Sequence, residues 1–255
     1  MIEVHDLKKS FGEKAILKGI STIFEAGKVN MVIGTSGSGK TVFIKNLVGL
    51  VQPDSGTISY DGIEFTLLNP KEKKAIRQKI GMLFQGSALF DSMTVEENVL
   101  FPLDMFSPMT KKEKLMRVNF CLERVNLVGA NQKYPAEISG GMMKRVGIAR
   151  AIVLNPKYLF CDEPNSGLDP KTAILIDELI KDITKEYNMT TIMNTHDMNS
   201  VMGIGEKVVF LHQGYKEWEG SNKEILRSDN EILNDFIFAS EFLKELRKGA
   251  TNSGV

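Results

Sequence analysis

Several things are scarce in this 255-residue chain, and each scarcity removes a class of function. It has no excess of either charge, because 32 lysines and arginines face 32 aspartates and glutamates. A general nucleic-acid binder would carry a basic surplus, so nucleic acid is not an expected partner. Cysteine is nearly absent. The two residues, Cys121 and Cys161, stand far apart in apolar surroundings and form no Cys-x-x-Cys pair. A disulfide framework or zinc cage is therefore not expected, and both read as small buried hydrophobes. No apolar run approaches the roughly 20 residues needed to cross a bilayer. The opening stretch, residues 1–12, mixes charge with hydrophobes and lacks the apolar core of a secretory signal. The expectation is a soluble chain that serves a membrane, if at all, through another protein. Internal repeats and low-complexity tracts are also missing.

What is present is an alternation of strand and helix signals. Residues 2–7 and 15–24 read as strands, and Val29–Ile33 as a short buried strand followed by a glycine-rich turn and a helix from about Lys40. Gln52–Gly56 is a turn, and Asp61-Gly62 has the chemistry of a hairpin. From 86 to 155 the pattern becomes helical, with periodic apolar positions through Lys111–Leu127 and again after Ser139. Strands return at Tyr158–Asp162, Thr190–Asn194 and Lys207–Leu211, with a helix at about 170–186. This order implies an α/β fold with a largely parallel sheet and an inserted helical block.

The most specific motif is Gly34-Thr35-Ser36-Gly37-Ser38-Gly39-Lys40-Thr41, which matches G-x-x-x-x-G-K-[ST] at every fixed position. A buried strand precedes it and a helix follows, as that motif requires. Glycines let the backbone wrap phosphate closely, and free N–H groups at a helix start favour its charge. Lys40 would reach the β- and γ-phosphates of ATP, and Thr41 would ligate Mg²⁺. Farther on, the apolar run 158–161 ends in Asp162-Glu163. Asp162 would hold Mg²⁺ through water, and Glu163 would act as general base on the attacking water. Helix capping by these acids is the competing reading, but it leaves two adjacent carboxylates at the end of an apolar strand unexplained.

Together these motifs say only P-loop NTPase. Ile138-Ser139-Gly140-Gly141-Met142, lying before Asp162, narrows the reading because it resembles the ABC-ATPase signature, usually Leu-Ser-Gly-Gly-Gln. The resemblance runs from Phe11 to about Gly220. It implies a RecA-like P-loop core with an antiparallel β subdomain and an inserted helical subdomain at about 86–155. It also implies that Ser139 and the Gly140 and Gly141 amides open a helix facing a γ-phosphate. Phe11 resembles the aromatic residue that stacks on adenine. Gln85 resembles the glutamine that senses Mg²⁺ and the attacking water. Asn165–Asp169 resembles the D-loop at the dimer interface, with Asp169 near nucleotide, and His196 resembles the switch histidine at the γ-phosphate. One Walker motif per chain implies a second ABC nucleotide-binding subunit, expected as a homodimer, because each site takes its signature from the other copy.

Met142, the segment Gly86–Val99, Phe101-Pro102-Leu103 and Ser-Gly-Gly-Met-Met-Lys-Arg-Val resemble the ATPases of MCE-associated lipid transporters of the lipid-asymmetry type. That implies integral-membrane permease subunits, an MCE-domain protein and phospholipid as partners. It places the chain peripherally on the cytoplasmic face of the inner membrane. An importer of amino acids or another polar solute is the rival, and a non-transport ABC ATPase the third reading. The domain reading is 1–220 for the nucleotide-binding domain, 221–248 for a C-terminal helical extension and 249–255 for a flexible tail. In the extension, Ile232, Leu233, Phe236, Ile237, Phe242, Leu243 and Leu246 can share one helix face, turned either to this chain's own core or to a partner nucleotide domain.

Overall fold

A computed structural model describes residues 1–238, and residues 239–255 lie outside the described part. In chain order the elements are β1 (Ile2–Phe11), β2 (Lys14–Phe24), β3 (Val29–Ile33), α1 (Lys40–Leu47), β4 (Ser55–Tyr60) and β5 (Ile63–Glu64). Next come α2 (Pro70–Arg77), β6 (Ile80–Leu83), α3 (Val95–Phe106), α4 (Lys111–Arg124), α5 (Gly140–Ile152) and β7 (Tyr158–Asp162). The series closes with α6 (Pro170–Glu186), β8 (Thr190–Asn194), α7 (Met198–Ile204), β9 (Lys207–His212), β10 (Tyr215–Gly220) and α8 (Glu231–Ile237).

The chain divides into two compact units. Among the described residues the first holds Met1–Phe24, Val29–Thr66 and 194–238. Its four-stranded sheet, in the order β2-β1-β4-β5, is antiparallel throughout. At the hairpin between β4 and β5, Asp61 and Gly62 both take positive φ, the turn geometry that Asp-Gly favours. In the same unit β9 lies between β10 and β3, parallel to β3 and antiparallel to β10. All five residues of β3 are buried, as a strand covered on both faces requires. The described part of the C-terminal extension packs on this unit's own core: Leu233 and Ile237 are buried, and the Phe236 ring sits 5.2 Å from that of Phe210 in β9. Phe242, Leu243, Leu246 and the expected tail at 249–255 fall outside the described residues.

The second unit holds Glu25–Lys28 and Leu67–Met193. Here β7 lies between β8 and β6, and β6 runs parallel to β7. Helices α3 and α4 open with full capping boxes, Thr94 with Glu97 and Thr110 with Glu113. Both pack with α5, whose Val146, Ile148, Ala149 and Ile152 are buried. Helix α6 starts at Pro170, the helix position that tolerates a missing N–H, behind the Asp169 cap. Both cysteines are buried and free, as expected.

Candidate functional site

In the first unit β3 delivers the chain to a loop whose path depends on glycine. Gly34 has φ +149°, and a Cβ there would lie 2.2 Å from the Leu211 carbonyl oxygen and 2.8 Å from Ser38 Oγ. Gly39, the residue before α1, has φ +105°, and its Cβ would lie 3.0 Å from Leu17 Cδ2. The Lys40 ammonium curls back over the loop and donates to the Gly34 carbonyl at 2.7 Å and the Thr35 carbonyl at 3.0 Å. Thr35, Ser36, Gly37 and Thr41 are exposed at the mouth. Ser38 is only 3% exposed, yet its hydroxyl has no hydrogen-bond partner among the described residues. Buried polar atoms are normally paired, so a bare hydroxyl beside a lysine and a helix N-terminus suits an anionic oxygen. The residues present thus fit a polyphosphate.

His196 belongs to the same unit. Its neighbour Thr195 donates its N–H to the Val32 carbonyl at 3.3 Å, so His196 follows a residue fastened to the strand that feeds the loop. Its imidazole is exposed. Phe11 ends β1 with a ring 52% exposed, and the Lys9 ammonium stands 5.5 Å from its centroid. A free aromatic face at a strand end can accept a flat base.

The second unit gathers the other sequence-predicted residues. Asp162 ends β7 half-buried, and Glu163 follows in the left-handed region at φ +48°. The Glu163 carbonyl accepts from the Ser166 N–H at 3.2 Å and, more distantly, from the Lys144 ammonium at 3.4 Å. Asn165 donates to Asp177 at 2.7 Å inside the core, which fixes the loop after Glu163. Gln85 lies beyond the end of β6, and its side-chain amide donates to Ser166 Oγ at 3.3 Å. The structure therefore brings Gln85, Glu163 and the 165–169 loop together. Asp169, expected near nucleotide, is occupied as the cap of α6: it accepts from the Thr172 N–H at 3.0 Å, and hydrogen bonds from Thr172 hold its carboxyl below the usual range. Ser139 caps α5 through the Met142 N–H at 3.3 Å. Gly140 is exposed, whereas a Cβ on buried Gly141 would lie 2.7 Å from Thr172 Cγ2. The first amides of α5 are thus offered outward next to a glycine that must stay small.

Lys144 is a residue to which sequence reasoning assigned no role. It is 5% exposed and also donates to the Gln85 carbonyl. Burial lowers the proton affinity of its ammonium, partly offset by Cys161, Glu163 and Asp162. The signal available was a lysine among the buried positions of an otherwise apolar, glycine-containing helix face.

Comparison with known proteins agrees with this geometry. The ABC transporter family model matches residues 17–166. The probable ribonucleotide transport ATP-binding protein mkl of Mycobacterium tuberculosis is 38% identical over 92% of this chain, which spans 66% of that protein's length. The methionine import ATP-binding protein MetN of Rhizobium johnstonii is 40% identical over 86% of this chain, which spans 60% of its length. Among solved structures, the dimeric bacterial ABC transporter cassette MJ0796 superposes with a TM-score of 0.79 at 32% identity, covering 87% of this chain and 99% of that one. That cassette has also been captured dimeric after hydrolysis, with ADP and Pi bound. The P-loop, the antiparallel sheet and the helical stretch are those of an ABC-type α/β cassette, and this chain belongs to the ABC transporter family.

Proposed function

We propose that the chain is the ATP-binding and ATP-hydrolysing subunit of an ABC transporter. The observation that carries this is the glycine-shaped loop 34–41, with Lys40 folded over it and the Ser38 hydroxyl buried without a partner among the described residues. Bound ATP would supply the phosphoryl group, and Mg²⁺ the counter-charge on its oxygens. Lys40 and the loop amides 34–39 hold the β- and γ-phosphates, while Thr41 and Asp162 hold the metal, with Gln85 sensing it. Among the described residues no cluster of three His, Cys, Asp or Glu makes a protein-only cage. A magnesium shared with phosphates needs none. Glu163 accepts a proton from the attacking water, His196 and Gln85 orient that water, and Phe11 stacks on the base.

Ser139, Gly140 and Gly141 present the start of α5 to the nucleotide of a second copy, which makes the working form a dimer. The dimeric neighbour supports this, and Asp169 lies in the adjoining loop. No helix among the described residues is long and apolar enough to cross a membrane. Integral-membrane permease subunits are the docking partners of this reading. A groove of about 590 Å³ in the second unit, whose lining includes Arg77, Phe84, Phe90, Phe101, Pro102 and Phe106, supports that docking. The chain would sit on the cytoplasmic face of the inner membrane.

For cargo we favour phospholipid moved with an MCE-domain protein, because Met142 and the segment 86–103 resemble ATPases of that kind. A polar-solute importer is the second reading, favoured by the methionine-import relative. Purification of the native complex in mild detergent, with identification of bound proteins and lipid, separates the two. A permease with an MCE-domain protein and phospholipid is the expected result. A permease with a solute-binding protein and no lipid would overturn the lipid reading.

A further inference from the structure

One side of α5 lies directly on the strand and loop that carry Gln85. A Cβ on Gly147 would sit 2.7 Å from Leu83 Cδ1 and 3.5 Å from Ser87 Cβ. A Cβ on Gly81 in β6 would sit 2.3 Å from the Ala151 carbonyl oxygen. At these two positions a side chain larger than hydrogen would crowd the contact between helix and strand. Two cations flank this contact. Arg150 donates to the Ser87 carbonyl at 2.5 Å and the Ala88 carbonyl at 2.8 Å. Lys144, six residues nearer the helix start, donates to the Gln85 and Glu163 carbonyls.

The Lys144 contacts close a ring. Lys144 reaches the Gln85 backbone, the Gln85 side chain reaches Ser166 Oγ, and the Ser166 N–H reaches the Glu163 carbonyl that Lys144 also meets. Glu163 takes a positive φ without being glycine, a conformation that persists only where surroundings over-determine it. A buried ammonium, in turn, is tolerable only when its donors are used. Each need answers the other.

We propose that Lys144 is a positioning residue whose ammonium fixes the backbones of Gln85 and Glu163 to helix α5, so that both functional side chains are aimed from one point. The catalytic consequence rests on the role proposed above for Glu163; the structural link does not. Lys144→Met removes the donors at nearly constant length, Lys144→Arg keeps donors, and Lys144→Gln keeps two on a shorter neutral stem. Hydrogen exchange on the nucleotide-free protein is the first readout. In Lys144→Met, amides of the 85–88 and 163–168 loops should exchange at least about 10-fold faster, while mid-α5 amides such as Ile148 keep their protection. In steady state kcat should fall about 10- to 100-fold with KM for ATP changed less than about 3-fold, since small misplacements of reacting groups are costly. Arg should restore much of both, and Gln should fall between.

Unchanged loop exchange in both Met and Gln variants would overturn the proposal. So would faster exchange along all of α5 with kcat per folded molecule unaltered, the pattern of a merely structural lysine. If the unsubstituted protein with its partners hydrolysed no ATP, the functional reading would fail while the exchange pattern still judged Lys144.

Discussion

The loop at 34–41 and the paired loops at 85–88 and 163–169 solve the same problem, holding backbone in left-handed or otherwise demanding conformations, in opposite ways. The first writes its solution in glycine: Gly34, Gly37 and Gly39 carry the positive φ values, and the loop's own carbonyls hold Lys40. The second uses ordinary residues, Ser87, Ala88 and Glu163, at φ of +61°, +47° and +48°. Their strain is balanced by cations reaching in from a neighbouring helix, Lys144 and Arg150. Glycine takes such conformations without steric cost, so the first loop needs no cation from a neighbouring helix to hold it there. A strained loop held from outside moves when its holder moves, which suits the water-positioning role proposed for Gln85 and Glu163.

This contrast can be broken at Gly34, where the effect is largest. Gly34→Ala places a methyl against the Leu211 carbonyl. It should cost roughly 1–3 kcal/mol in urea unfolding and abolish measurable nucleotide binding. Retained binding would mean that the loop path does not depend on glycine.

A second probe is the apolar packing behind β7 and α4. Burial pushes the Cys121 thiol up from 9.0 to about 11 and raises Cys161 in the same direction. The folded chain then holds these protons more tightly than the unfolded chain. The Cys121 contribution is complete below pH 9.0 and is lost as pH climbs toward about 11. Chemical denaturation between these limits should show falling stability, and neither thiol should react with an alkylating reagent at pH 8 without denaturant. Prompt labelling of the native protein would contradict the burial.

The smallest effect sharpens the comparison most narrowly. Ala88→Gly relieves a left-handed alanine while keeping the carbonyl that Arg150 holds. Relief of strain, set against the greater freedom of an unfolded glycine, should leave a gain below about 1 kcal/mol. A clear loss of stability would show that the alanine side chain, not its backbone, is what the loop needs.

The same contrast explains what could be read in advance. The strand at Val29–Ile33, the helix starting at Lys40 and the hairpin at Asp61-Gly62 were all legible, because glycine and turn chemistry announce local geometry. So were Tyr158–Asp162 and Pro170–Glu186, where an apolar run and a proline-started helix frame the two carboxylates. Helix α2 went unread although Asn69, Pro70 and Glu72 spell a complete capping box, because its mean character is polar and only Ile76 is buried. Seven-residue α7 is too short to show a period, and β10 follows a Gln213-Gly214 turn whose first residue gives no obvious positive-φ signal. Lys144 stood out only as a lysine on a buried helix face, and the ring it closes could not be read, since its own contacts go to the backbone carbonyls of residues 85 and 163, which have no sequence signature.

The most direct test of the division between a gripping loop and a positioned carboxylate is Glu163→Gln, with Mg-ATP affinity and single-turnover hydrolysis measured on the same preparation. Affinity should stay within about 3-fold, hydrolysis should fall at least about 100-fold, and an ATP-dependent dimer should accumulate. Hydrolysis at the unsubstituted rate would remove Glu163 from its role and contradict the account.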